Sequence, residues 1–482
     1  MPEIPHTRSM PMNREEMLDR SMASDSDFDG VFITGVLSTG IYCLPSCRAR
    51  KPKPENIRFF SSIEEARSVG LRACKKCCPD DFFAGIDLDL EALESVIRDL
   101  KCNPQRFTSI GDLATAMNVG NSKLFLSVRK HFHSTPGELI AQSRVNKSCD
   151  ELLRTDSSVS ELAFKVGFET LSTFYDHFGR LTGMAPTAYR RLRHATSFKI
   201  TLPKNYQADV LLKYFGRDPE SVSEKVDGRE LWASINGSGL PAVLHLSLGD
   251  DTVECEFSGI AGVDAHRAVV RMLGLAQDPA GFEYHINRLG EPRFIEGRSG
   301  IRIPQTVTNF DGFVWAILGQ QVNLHFAYSL RRRLIQLAGT RVSDRLVAPP
   351  LPRDVARLNV DDLLQLQFSL RKAEYLIGVS RKIDEGELNL EEMENGSASR
   401  AEKTLMAVRG FGPWSSNYVM MRSFGFADCL PVGDTGLTLA LQRYFQLDKR
   451  PQAAETKALM ERFSPFRSLA SMHLWQSLKI ES

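Results

Sequence analysis

The chain has 482 residues, and its 60 Lys and Arg stand against 59 Asp and Glu, a formal net charge of +1. That length suggests about three domains, no apolar run is long enough to span a membrane, and near-zero net charge can hide basic faces, so nucleic acid stays open as a partner. Nine Cys, an odd count without a signal-peptide pattern ahead of them, argue against a disulfide framework and lead us to expect a reducing, cytoplasmic compartment.

In chain order, the first 20 residues are polar with mixed charge and read as a mobile arm. Two short-spaced pairs follow, Cys43/Cys47 and Cys74/Cys77, with Cys78 able to replace Cys77 in the second pair. Residues 43–78 hold nine Lys/Arg against three Glu. Zn²⁺ favours four tetrahedral ligands, and two such pairs supply them with little loop closure. Most four-Cys sites only fold their domain, and that reading stands beside a functional one. The run Thr39-Gly-Ile-Tyr-Cys43-Leu-Pro-Ser-Cys47-Arg-Ala-Arg50, with Phe28–Phe32 before it and Cys74-Lys-Lys-Cys77 after it, resembles the N-terminal domain of the Ada family of DNA-methylation sensors. The resemblance implies one Zn²⁺ on Cys43, Cys47, Cys74 and Cys77, with Cys43 accepting methyl from a DNA methylphosphotriester. Zinc keeps a thiol deprotonated at neutral pH, so the nucleophile needs no separate base.

The next segment reads as a weakly repeated helical pair. Ile110-Gly-Asp-Leu113-Ala114 lines up with Val159-Ser-Glu-Leu162-Ala163, and Ser109 and Ser158 sit where N-caps belong. Gly167 falls where a tight turn between helices wants a positive φ. Residues 101–197 carry 13 Lys/Arg and 8 Asp/Glu, a local excess of 13 − 8 = +5. Periodicity alone would fit any helical bundle with a solvated basic face. The second half, Glu161-Leu-Ala-Phe-Lys-Val-Gly-Phe168 through Phe174, Phe178 and Pro186 to Tyr189-Arg190, resembles AraC-family DNA-binding domains. By that resemblance, helices beginning near Gly120 and Thr170 enter successive major grooves, with Asn121, Ser122, Lys123, Thr170, Ser172 and Thr173 as contacts. Arg190, Arg191 and Arg193 read as phosphate contacts or a hinge.

After Thr196 the composition shifts. Phe198–Pro203, Arg229–Ile235, Ala242–Leu248 and Thr252–Phe257 read as strands, and from Ala265 the pattern is almost all helical. A Gly410-Phe-Gly412 turn between two helical patterns can bring backbone N–H groups to a phosphate. Asp434 sits at a helix start, where an N-cap is the ordinary role. Aromatic residues cluster around these elements: Trp315, Trp414, Tyr418 and Trp475.

Four stretches, Asp311-Gly-Phe-Val-Trp-Ala-Ile-Leu-Gly319-Gln320-Gln321-Val322, Arg409–Tyr418, Leu430-Pro-Val-Gly-Asp434 and Pro465–Trp475, resemble AlkA-type 3-methyladenine DNA glycosylases of the helix-hairpin-helix superfamily. The resemblance implies Asp434 as the catalytic carboxylate and a pocket of Trp475, Tyr418, Trp315 and Gln320 for an extruded base. It implies Gln321 as the wedge, and phosphate contacts at Gly410, Gly412 and Ser415. Trp414 stands where strand-cleaving relatives place a Schiff-base Lys, which points to a monofunctional enzyme. Only Cys429 lies late in the chain, so no iron–sulfur cluster is expected.

The expected architecture is multidomain. A small zinc-binding α+β module (1–87) precedes an all-α AraC-type helix-turn-helix pair (88–196). An α+β N-terminal glycosylase domain (197–300) and an all-α helix-hairpin-helix domain (301–482) follow. The expected function is excision of alkylated bases joined to a methylation-sensing transcriptional activator. Its partners would be alkylated and promoter duplex DNA and RNA polymerase, with the chain a nucleoid-associated monomer. The alternative is a DNA-binding regulator with an inactive glycosylase domain.

Overall fold

The computed structural model describes residues 12–84, 87–237 and 240–480, and the chain divides into two compact units, Met1–Ser95 and Val96–Ser482. The first is built on a four-stranded sheet in the order Ile57–Phe60, Ile33–Val36, Ile41–Cys43, Arg72–Ala73. The last pair is parallel and the others antiparallel. Ile33, Tyr42, Phe60 and Leu71 bury one face beneath Ala66 of the helix Ile63–Ser68. Part of the expected mobile arm is instead a helix, Arg14–Ala23. The Asn13 side chain caps it by accepting from the Glu16 N–H, and residues 1–11 lie outside the described residues.

The second unit opens with the helix-turn-helix pair. Ser109 and Ser158 both close capping boxes, with Asp112 and Glu161 as their reciprocal partners. Gly167 adopts φ +101, and a Cβ there would press on the Gln105 backbone at 3.0 Å. The long helix Pro136–Arg154 joins the halves.

A five-stranded antiparallel sheet follows, in the order Ser197–Thr201, Thr252–Ser258, Leu240–Leu248, Glu230–Gly237, Glu224–Asp227. The sequence reading missed the last strand because its Glu-Lys-Val-Asp composition is that of a charged edge, where lone side chains deter further pairing. The second helix-turn-helix and this sheet share one apolar core. Phe174, Phe178 and Tyr189 pack in the same cluster as Phe198, Ile200 and Met272. The seam is also polar: Thr201 N–H donates to Gly183 O at 2.8 Å, and His266 Nε2 lies 2.7 Å from Thr182 O.

The remainder is helical around a separate core that includes Phe313, Leu376, Met421 and Leu441. Arg331, on the helix Leu324–Ala338, ties it to the sheet. Its guanidinium pairs with Glu224 at 2.7 Å and Asp311 at 3.0 Å, all three buried. Burial alone would raise Glu224, but the Arg331 charge and hydrogen bonds draw it down to about 2. Burial keeps Asp311 raised despite the same cation.

Candidate active site and metal centre

The hairpin consists of the helices Ala398–Met406 and Pro413–Arg422. Gly410 takes φ +91, and a Cβ there would fall 2.3 Å from the Tyr375 ring, so both conformation and space demand glycine. Gly412 is the N-cap of the second helix, with Pro413 starting it. A Cβ on Gly412 would meet nothing within 4 Å, so the protein leaves open space at that end.

Asp434 caps the helix Thr435–Tyr444, its Oδ1 accepting from the Leu437 N–H at 2.8 Å. The N-cap reading is therefore correct, and it is not the whole role. Trp475 Nε1 also donates to Oδ1 and Trp414 Nε1 to Oδ2, each at 3.0 Å. Two indoles, one from the hairpin and one from the helix Arg467–Ile480, thus fix a half-buried carboxylate at the hairpin. Tyr418 stacks on Trp414 with ring centres 5.3 Å apart and packs against the buried Trp315–Tyr328 cluster. The structure brings Asp434, Trp475, Trp414, Tyr418 and Trp315 together. Burial pushes the Tyr418 hydroxyl up from its ordinary range.

Gln320 and Ser415 are engaged differently from the sequence expectation. Gln320 Nε2 donates to Gly410 O at 2.8 Å and to the Ser415 hydroxyl at 3.0 Å, so its side chain brackets the loop to the hairpin. Ser415 is 4 % exposed and spends its hydroxyl inward. Gln321 is exposed, with φ +53, at the tip of the loop. Sequence reasoning missed what holds that loop. Lys372 Nζ donates to the carbonyls of Ile317, Leu318 and Gln320 at 2.7–2.9 Å, satisfying acceptors that the end of the helix Asn309–Leu318 leaves open. Burial pulls this ammonium down to about 8.

In the first unit, the Sγ atoms of Cys43, Cys47, Cys74 and Cys77 all lie within 4.8 Å of one another. Cys78 stands apart, with φ +42 and its thiol turned to Lys75 O, which settles the ambiguity in the second pair. By themselves, Cys43 and Cys77 compete for one negative charge. Hydrogen bonding to Cys77, then burial, pushes the Cys43 thiol far up, and the same bond draws Cys77 down to about 6. A divalent cation at the centre resolves that competition. The Leu44 and Lys76 amides point at Cys77 and Cys74 sulfur, each at 3.4 Å, as donors to thiolates do. This donor set fits one Zn²⁺. Cys43, at the end of its strand, is 8 % exposed, Cys77 is more open, and Arg48, Arg50, Lys75 and Lys76 are exposed around the site.

The helix Asn121–Phe132 exposes Asn121, Ser122 and Lys123, and Leu171–Thr182 exposes Ser172 and Thr173. Thr170 is exposed as well, but its hydroxyl caps its helix by accepting from Thr173 N–H. Arg190 and Arg193 are turned inward to carbonyls of the 152–157 segment, which binds the end of this domain to itself.

A carboxylate bonded to the hairpin's Trp414, following a metal module and a helix-turn-helix pair in sequence, places the chain in the class of helix-hairpin-helix proteins that carry metal-binding and helix-turn-helix modules. Residues 16–80 match the metal binding domain of Ada, 113–192 a helix-turn-helix domain, and 314–465 the HhH-GPD superfamily of base excision DNA repair proteins. The putative DNA-3-methyladenine glycosylase YfjP of Bacillus subtilis is 30% identical over 58% of this chain and 99% of its own. The probable bifunctional transcriptional activator/DNA repair enzyme AlkA of Mycobacterium tuberculosis is 26% identical over 95% of each chain. In fold, the 3-methyladenine DNA-glycosylase from Archaeoglobus fulgidus superposes with a TM-score of 0.54 at 20% identity, covering 59% of this chain and 99% of its own. The chain belongs to the DNA-3-methyladenine glycosylase family, and it carries Ada-type zinc and AraC-type helix-turn-helix modules ahead of the glycosylase fold.

Proposed function

We propose that this chain is a monofunctional glycosylase that excises alkylated bases such as 3-methyladenine from duplex DNA, joined to a methylation-sensing transcriptional activator. The observation that carries the reading is the Asp434 carboxylate, held between the Trp414 and Trp475 indoles at a hairpin. An extruded nucleotide costs a few kcal/mol of stacking and pairing, and Gln321, exposed on its loop, fills the gap. The open space at Gly412 admits a phosphate to the N-terminus of the helix Pro413–Arg422. As the C1′–N bond breaks, its electron pair goes to the base. The Asp434 carboxylate stabilises the positive sugar and orients the water whose oxygen bonds to C1′.

In the sensor, Zn²⁺ supplies the Lewis acidity that keeps the Cys43 sulfur a thiolate at neutral pH. Cys43 Sγ attacks the methyl carbon of a methylphosphotriester, the C–O bond breaks, and the phosphodiester leaves as an anion. A thioether is not readily reversed, so each molecule acts once. Methylation removes one negative charge from a site flanked by Arg48, Lys75 and Lys76, and phosphate contacts then strengthen. Asn121, Ser122, Lys123, Thr170, Ser172 and Thr173 read the promoter. The activator works with RNA polymerase, and the chain acts as a monomer on the nucleoid.

The test is release of methylated bases from alkylated duplex by the full chain and by Asp434→Asn. Loss of about 10²–10⁴ in rate is expected for the variant. Equal release by both removes Asp434 from the reaction, and no release by either leaves a DNA-binding regulator.

A further inference from the structure

The first helix-turn-helix touches the glycosylase fold through three side chains. Lys101, in the last turn of the helix Leu88–Cys102, donates to Asn395 O. His131 Nδ1 lies 2.9 Å from the Ser399 hydroxyl, at the start of the hairpin's first helix. Neither partner lies on the loop that leads to Asp434. The third side chain reaches that loop. His133 is the C-cap of the helix Asn121–Phe132, with φ +51. Its Nδ1 accepts the Asp428 N–H at 3.2 Å, and its ring meets the Phe426 ring edge-on, with centres 5.7 Å apart.

Phe426 and Asp428 belong to the loop 423–434, which runs from the hairpin's second helix to the one that Asp434 caps. The glycosylase fold fixes this loop from two directions. Asn417 Oδ1, on the hairpin, accepts the Leu430 N–H at 2.9 Å. The Asp428 carboxylate takes Arg467 Nε and Nη2, each at 2.8 Å, and the Cys429 N–H donates to the Ser468 hydroxyl at 3.0 Å. Arg467 and Ser468 open the helix that carries Trp475, which donates to Asp434. His133 supplies a third direction, from 295 residues away in sequence. Burial draws its imidazole down to about 4, so near neutral pH the ring is uncharged and Nδ1 can accept.

We propose that His133 is a positioning residue for base excision: by holding the Asp428 amide it sets the loop that ends on Asp434, so the first helix-turn-helix is a working part of the glycosylase. The proposal rests on the glycosylase reading above. Asp428 is only 8 % exposed. Without the imidazole its amide loses an acceptor, and the turn must shift or admit water to satisfy it. Asp434 stands six residues further along the same loop and must present its carboxylate to the sugar while two indoles hold it. A misplacement of about 1 Å at a reacting group costs about 10²-fold in rate. A small shift of the turn is therefore read directly as slower excision, although His133 touches neither base nor sugar.

The experiment measures single-turnover release of methylated bases from an alkylated duplex by the full chain, with the protein titrated to saturation. Two substitutions suit the positive φ of this C-cap, since Gly and Asn both adopt it readily. His133→Gly removes acceptor and ring together. His133→Asn also removes the ring, but its side-chain oxygen can replace Nδ1 as the acceptor. His133→Gly should lower the saturating rate about tenfold, the scale of one lost hydrogen bond, with the half-saturating concentration unchanged. His133→Asn should restore most of that rate. A merely structural role would instead lower the reacting fraction or the thermal midpoint and leave the saturating rate intact. A saturating rate unchanged in His133→Gly, or slowed equally in both variants, overturns the proposal and leaves His133 a packing residue. Release of no base by the unaltered chain overturns the glycosylase reading and this inference with it.

Discussion

A carboxylate offers about four lone-pair positions, and on Asp434 three are filled: two on Oδ1, by Leu437 and Trp475, and one on Oδ2, by Trp414. On the glycosylase reading proposed above, the open position on Oδ2 is where a water or the sugar would be met. Trp414→Phe keeps a ring to stack on Tyr418 and deletes one N–H. A hydrogen bond to a charged group is worth about 1.5–3 kcal/mol, so base release measured in single turnover should slow by about tenfold or more. An unchanged rate would mean that the indole does not position the carboxylate. Asp434 itself is legible in the sequence because its motif is local. Trp414 and Trp475 are grouped around it in the sequence reading too, but their hydrogen bonds to its two oxygens are not legible, since they stand 20 and 41 residues away and periodicity reports only near neighbours.

At the scale of elements, the locally determined features are the ones that sequence reads well. The Ser109 and Ser158 caps and the positive φ at Gly167 each depend on a few adjacent residues. The loop carrying Gln320 and Gln321 is readable as a motif, but its anchor, Lys372, comes from the helix Leu370–Asp384 and binds carbonyls more than 50 residues away. A protonated amine has three donors for three carbonyls, and a neutral one has two. With the ammonium drawn down to about 8, base release should decline as pH rises through that value. In Lys372→Met the release should be slower and lack this step, with a pH–rate series on alkylated duplex as the measurement. The sign of the stability effect separates loop from fold. The folded pKa is lowered, so the unfolded chain holds this proton more tightly, and the group's contribution to stability rises between about pH 8 and the ordinary lysine value near 10.4. A fall in rate across that window is therefore not a loss of fold through this group.

At the scale of the whole molecule, the Arg331 cluster joins elements 107 residues apart in sequence. No composition or spacing signals it, because Glu224 lies on an edge strand whose charges look solvated. Arg331→Met leaves two buried carboxylates without a cation, and breaking such a cluster costs about 3–5 kcal/mol, to be read as a lowered thermal midpoint near neutral pH. Glu224 is lowered when folded, to about 2, so its contribution is present above its unfolded value near 4.3 and is lost as pH falls toward 2. The gap between the two proteins should narrow below about pH 4. A midpoint unmoved by the substitution would remove the cluster from the account of stability.

The apolar core shared across Thr196 makes the boundary between regulator and sheet a line in sequence only. Phe198 and Ile200 lie on one side of it and Phe174 and Tyr189 on the other. Severing this chain there would strip the cover from both pieces and leave each with an exposed apolar patch. Dissection of this chain by truncation would report the damage at the cut before it reported the chemistry.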